Sequence, residues 1–309
     1  MKNYLLMLIA ILAFQGQPAA IAEQSDPSQE TGIKDAATAT PILWKMTDEN
    51  STIWFLGTYH ILPPELDWRS PPVKRAIADA ESVFLEADID SPEGQGLMLR
   101  AMLIEGFNKR GVSLFDMLDR DRAKKLREIA KSLSVSEKAI DAMRPWNAFI
   151  TITAQFIINQ GFDPASGVDA NLAIEIKASG RPLQYFETAA EQIGFFANLS
   201  KETEIALLNT TIDDWDNASD DFETLFHAWR LGDEEKMDQL INESLRDSSP
   251  EVHDVLLVNR NKNWVQKLEQ LMEGSGTILV AVGAGHLVGD QSVIAMLRAK
   301  GYSLERVTN

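Results

Sequence analysis

The stretch "TILVAVGAGHLVGD", Thr277 to Asp290, decides how the rest of the chain is read. Thr277–Val282 is a short apolar run of β-forming residues, which reads as a buried strand. Gly283, Gly285 and His286 follow at once. A second stretch, "TIWFLGTYH" from Thr52 to His60, has the same plan. Each is a strand followed by Gly-x-x-His. The strand carries the chain to a sheet edge, Gly57 or Gly283 permits a tight or left-handed turn there, and the histidine then faces back over the edge. Two such units on neighbouring strands bring His60 and His286 together.

Outward from these two anchors, the chain opens with strands. Ile42–Met46 and Thr52–Leu56 flank the polar "TDENS" and predict a hairpin. A helix with a Pro-rich start follows at Pro71–Ala80, then a strand in "SVFLEAD", Ser82–Asp88. The middle is helical. Candidate helices are 94–107, 120–132, 145–159, 168–178, 188–199, 201–213, 220–231, 234–245 and 252–273, interrupted by one strand, "RPLQYFE" at Arg181–Glu187. The end returns to strand, helix (Gln291–Lys300) and a last strand at Tyr302–Val307. Strands at both ends with helices between predict an α/β fold: a central mixed β-sheet with flanking helices and a large helical insertion at about 94–270.

The first residues read differently. Lys2, the apolar Tyr4–Phe14 and the small-x-small Ala20-Ile21-Ala22 have the pattern of a secretory signal peptide over 1–22. The polar 23–41 reads as a flexible leader, and 42–309 as one domain. This predicts a periplasmic or secreted protein, cleaved near Ala22, with no stable membrane insertion afterwards. The chain has no cysteine, so no disulfide framework exists. Its formal charge of −17 disfavours nucleic acid as a partner.

Ligands gather where the strands of an open α/β sheet end. His60 and His286 lie past such ends, and Glu86 closes the apolar "VFLEAD" strand, where a charge needs a partner. Together they form a candidate site for a divalent ion, Mn, Co or Zn, since imidazole and carboxylate are suited to such ions. Glu187 ends its own strand in the same way. Asp169, in "GVDANL", is either a first-turn helix acid or a site group, with Asn171 beside it. Arg260 shares one face with Leu256 and Trp264 and must find a carboxylate or a substrate. Arg144, before Pro145 in "RPW", is placed to line the cleft.

The segments "FLGTYH", "VFLEAD", "RPWNAF", "GVDANL", "ETAAEQ", "NRNKNW" and "VGAGHLVGD" occur in this order. Together they resemble the TraB/PrgY/GumN family, whose relatives include the Tiki proteases, over about Leu43 to the C-terminus. The resemblance implies a fold shared with erythromycin-esterase-like and ChaN-like proteins. For the Tiki branch it implies a metal-dependent peptidase using two GxxH histidines and a glutamate, matching His60, His286 and Glu86. The expectation is therefore an exported metal-dependent hydrolase. His60, Glu86 and His286 hold the ion, Glu187 and Asp169 move protons and Arg260 steadies an oxyanion. Gly57, Gly283, Gly285, Asn171 and Arg144 contact a peptide or small-molecule substrate. Two alternatives stand beside it: a non-catalytic protein that binds or sequesters a peptide or small ligand, and an iron- or haem-binding protein.

Overall fold

The computed structural model describes residues 38–89 and 91–308. The expected signal peptide and most of the expected leader fall outside them. The chain joins the body by Thr38, which bridges to Asp67, and Ala39 is fully buried.

Six strands form one sheet in the order β4-β3-β5-β2-β1-β6. They are β1 (Leu43–Thr47), β2 (Ser51–Thr58), β3 (Ser82–Ala87), β4 (Leu183–Glu187), β5 (Gly276–Gly283) and β6 (Leu304–Arg306). The pairs β4–β3, β3–β5 and β5–β2 are parallel, while β1 is antiparallel to both β2 and β6. The sheet is therefore mixed, with flanking helices and a large helical insertion between β3 and β5. The centre reads as unbroken apolar runs because it is covered on both faces. In β2, Ile53, Phe55 and Leu56 have no exposed surface and Trp54 has little, as expected for parallel strands beneath helices.

The helices are α1 (Pro71–Asp79), α2 (Pro92–Glu105), α3 (Arg120–Ser132), α4 (Glu137–Ala142), α5 (Pro145–Asn159), α6 (Val168–Ser179), α7 (Ala189–Ala197) and α8 (Lys201–Asp213). They continue with α9 (Ala218–Leu231), α10 (Glu234–Asp238), α11 (Ser244–Ser248), α12 (Pro250–His253), α13 (Asn259–Met272) and α14 (Val293–Ala299). Local caps explain several starts. Asp119 accepts from the Asp121 and Arg122 amides at α3, and Ser200 from the Thr203 amide at α8. Thr188 and Glu191 form a reciprocal capping box at α7. Two π-helical segments, Gln239–Glu243 and Asp254–Val258, join α10 to α11 and α12 to α13.

Parallel register makes the strand ends coincide. Thr58 pairs with Gly283, and Ala87 with Glu187. The four parallel strands thus finish along one edge of the sheet, where open α/β folds build their sites.

Candidate functional site

Each parallel strand delivers polar groups to this edge. Thr58 ends β2 and His60 follows it. Glu86 is the penultimate residue of β3, Glu187 ends β4, and Gly283 ends β5 before the short turn that carries His286. The opposite wall comes from α6, α7 and α13, which supply Asp169, Gln192 and Arg260. Val168 N–H bonds the Tyr59 carbonyl, fixing the start of α6 against the exit of β2. His60, Glu86, Asp169, Arg260 and His286 are all buried.

One half of the site is closed around Arg260. Its Nε donates to Glu187 Oε1 (2.8 Å), and its Nη2 to Glu187 Oε2 (2.8 Å) and Glu86 Oε2 (2.5 Å). Nη1 donates to the Leu256 carbonyl (3.0 Å) and meets His286 Nε2 at 3.1 Å. The five N–H groups of a guanidinium are matched by these five contacts. The cation stands over the Trp264 ring, 4.9 Å from its centroid, and Trp264 Nε1–H bonds Glu187 Oε1 at 2.9 Å. Burial works against the charge, but Glu86 and Glu187 outweigh it and hold the guanidinium firmly protonated.

The tautomer of His286 follows from its neighbours. Asn261 Oδ1 lies 2.6 Å from Nδ1, and the Asn261 amide nitrogen donates to the Gln291 carbonyl. Nδ1 therefore carries the proton and Nε2 accepts from Arg260. Burial first, then Arg260, then His60, push the His286 pKa well below its ordinary value, so the ring is neutral.

The other half is a small pocket of about 10 Å³ lined by His60, Leu85, Glu86, Ala87, Ile89, Asp169 and Gln192. Asp169 Oδ2 lies 2.6 Å from His60 Nδ1, and Thr58 Oγ1 donates to Asp169 Oδ1 at 3.1 Å. When the ring carries a single proton, the carboxylate holds it on Nδ1, and Nε2 is then the basic nitrogen. Glu86 joins the halves. Its Oε1 accepts from the Gly283 amide at 2.7 Å and lies 4.0 Å from His60 Nε2 and 3.8 Å from His286 Nε2.

The expected divalent-ion site, and the metal-dependent hydrolase built on it, are corrected here. Among the described residues there is no group of three or more His, Cys, Asp or Glu side chains placed to hold a metal ion. The physical reason is Arg260. Glu86 Oε2 and the His286 Nε2 lone pair, two donors the ion would need, are both directed at its guanidinium. A cation already occupies the position, and it is a side chain. An iron ion held by such side chains fails on the same finding.

Other expected contacts lie elsewhere. Arg144 caps carbonyls at the ends of two helices, Glu105 (3.0 Å) and Ala197 (2.9 Å), and pairs with Glu204. Asn171 Nδ2 bonds the Ala165 and Gly167 carbonyls before α6. Of the tight or left-handed turn expected at Gly57 and Gly283, a tight one follows Gly283 at Ala284–His286, while the left-handed form is found at neither; neither they nor Gly285 have positive φ. Gly57 is required by crowding, because a Cβ there would stand 2.4 Å from Ile42 Cγ1. The Gly285 carbonyl accepts from Asn242 in the first π segment, which tethers the His286 turn. Sequence reasoning passed over Thr58, Gln192 and Asn261. They sit within "FLGTYH", "ETAAEQ" and "NRNKNW", beside residues it did select.

Fold and site define an α/β protein whose parallel strand ends converge on a buried carboxylate–histidine–arginine cluster. The chain belongs to the TraB/PrgY/gumN family, which it matches over residues 42–306. It is 22% identical over 249 residues to the "Uncharacterized protein YbaP" of Escherichia coli (strain K12), covering 81% of this chain and 89% of that one. The protein of the same name from Shigella flexneri is 22% identical over 243 residues, 79% of this chain and 86% of its own. Neither name carries an activity.

Proposed function

We propose that this exported chain binds a peptide or small molecule through an amino head group seated in the His60–Asp169 pocket, with His60 exchanging a proton with it. The carrying observation is the 2.6 Å His60–Asp169 pair, oriented by Thr58, on the wall of a pocket. A carboxylate that fixes one ring nitrogen sets the other up as a general base. At about 10 Å³ the pocket has room for about one water-sized group, so it takes no more than an ammonium and leaves the rest of a ligand outside. Glu86, Glu187 and Asp169 outnumber the single Arg260 as charges, so the cluster favours an N–H donor or a cation over an anion. Gln192 donates to Glu86 Oε2 (3.3 Å) and Glu187 Oε2 (3.4 Å), which turns its amide nitrogen away from ligand recognition. Arg260, with its donors committed, serves as the fixed cation that holds Glu86 and Glu187 in place, and the oxyanion role is set aside. Export is supported by the amino-terminal pattern; among the described residues no helix is long and apolar enough to cross a membrane.

The test is saturation-transfer NMR with alanyl and glycyl dipeptides, each with a free amine and again as its N-acetyl form. The reading expects the free amines to bind, and His60→Gln to weaken them at least about tenfold, a loss of about 1.4 kcal/mol. Equal binding of the acetylated forms, or no binding of either, overturns it.

A further inference from the structure

A ligand whose head group sits in the His60–Asp169 pocket has a groove to follow outside it. A second, open cavity of about 680 Å³ lies between α6 and the edge strand β4. Its walls include Lys177 and Arg181 at the end of α6, Leu183 and Tyr185 of β4, and Asp88 and Glu93 beyond β3. A volume of that order is ordinary for a ligand site. Two features join the groove to the pocket. The first is the sheet. Register pairs Val83 with Leu183 and Leu85 with Tyr185, and paired residues stand on one face. Leu183 and Tyr185 therefore share the face of Leu85 and Ala87, which line the pocket. The second is α6. Asp169 in its first turn walls the pocket, and Lys177 in its last turn walls the groove. The helix rises about 12 Å between these two positions, at about 1.5 Å per residue.

We propose that the groove holds the carboxylate end of a free tripeptide whose amino end is seated in the pocket. The inference rests on the reading of that pocket as an ammonium site. Length is the first argument. An extended chain covers about 3.3–3.6 Å per residue, so three residues span about 10 Å, and a hydrogen bond of about 3 Å to Lys177 closes the rest. Charge is the second. Arg181 is fixed: its Nε donates to Ser179 Oγ (2.9 Å), and its Nη1 to the Ile77 and Ala80 carbonyls at the end of α1 (2.6 and 2.9 Å). Its Nη2 takes no part in these bonds. Lys177 is movable. Its ammonium lies 3.8 Å from Asp88 Oδ1, with 46% of the side chain exposed, and an exposed pair of this kind is weak. Asp88 has a nearer partner in Ser91, accepting from its hydroxyl (2.6 Å) and its amide (3.2 Å). Lys177 is thus free to turn to a ligand's carboxylate. Asp88 and Glu93 balance the two cations, so the groove does not draw free anions. A carboxylate tethered to an amine already in the pocket arrives at a far higher local concentration. A short peptide with both ends free carries the two charges on one chain.

NMR titration of the mature full chain with alanine peptides of two to five residues, each as the free acid and as the C-terminal amide, tests it. Among the free acids trialanine should bind about tenfold better than dialanine, and the longer peptides no better than trialanine. Amidation should weaken trialanine about tenfold and leave dialanine unchanged, because the shorter chain does not reach the cations. Lys177→Gln should shrink the difference between trialanine and its amide to about threefold or less, since Arg181 alone remains. Free-amine peptides that all bind alike, whatever their length or C-terminus, overturn the groove and leave the ammonium reading standing. An acid–amide difference that Lys177→Gln leaves whole also overturns the groove alone. If no free-amine peptide binds, or N-acetyl-trialanine binds as well as trialanine, the ammonium reading falls and this inference falls with it.

Discussion

Replacing Arg260 by methionine keeps a long flexible side chain and removes the buried charge. Three carboxylate contacts, the Leu256 carbonyl bond and the His286 Nε2 contact go with it. Some support remains: Glu86 Oε1 keeps the Gly283 amide, and Glu187 Oε1 keeps Trp264. Two carboxylates are nevertheless left buried without their cation. Breaking a buried pair from one side costs about 3–5 kcal/mol. At 2–4 °C per kcal/mol for a chain of this size, that lowers the melting midpoint by about 10 °C. The loss also has a pH signature. Carboxyl groups stranded in a low-dielectric site are cheaper to bury neutral. The folded variant then holds more protons than the unfolded chain, so its stability deficit shrinks as pH falls from 8 to 5. Urea titrations followed by Trp fluorescence measure both effects, Trp264 being in contact with Glu187 and the Arg260 face. Adding Glu86→Gln and Glu187→Gln to the variant should recover roughly half of the loss, because no stranded charge remains. A loss under about 1 kcal/mol at pH 7, unchanged with pH, would refute the claim that this guanidinium is the cation the site is built around.

Two further perturbations read other parts of the structure. His286 and His253 have pKa values lowered chiefly by burial, so the unfolded chain takes up their protons first; stability should fall as pH drops below about 6.5, by up to about 1.4 kcal/mol per pH unit for each ring. Urea denaturation between pH 7.5 and 5 measures that slope, and His253→Gln should reduce it; a flat profile contradicts the neutral burial of both. Gly167→Ala sets a Cβ 2.0 Å from the His60 carbonyl oxygen and 2.6 Å from its carbon, and backbone on both sides leaves little room to yield; the expected cost is about 1–3 kcal/mol with displaced His60 imidazole resonances, and unchanged resonances count against the packing described.

The strand ends were legible because the signal is local. An apolar run that breaks into glycine and histidine marks the edge of a sheet, and two such runs mark it twice. Helices α3, α5 and α8 were placed at their observed bounds, and the structure shows why those starts are sharp: Asp119 and Ser200 cap α3 and α8, and Pro145 opens α5. The six-residue α4 and the two π segments left no periodic trace long enough to read. Glu86 and Arg260 were each recognised as charges needing a buried partner, but nothing in sequence says that they satisfy each other across 174 residues. That pairing changes the chemistry of the site. The same histidines and glutamate suggest a metal centre when Arg260 is placed apart from them, and an occupied cation site when it is placed among them. Asn261 illustrates the remainder: its role exists only because the His286 turn packs against α13.

The most direct measurement is the side-chain spectrum of Arg260 and the histidines in protein labelled with ¹⁵N, recorded before and after Mn²⁺ is added. A guanidinium held by five contacts should give a protected Nε–H resonance, and His286 should show the Nδ1–H tautomer. Mn²⁺ should leave both signals sharp, because their lone pairs and carboxylates are already engaged. Selective loss of the Arg260 and His286 signals, matched by tight Mn²⁺ binding that His60→Ala abolishes, would contradict the account and show the guanidinium giving way to a metal.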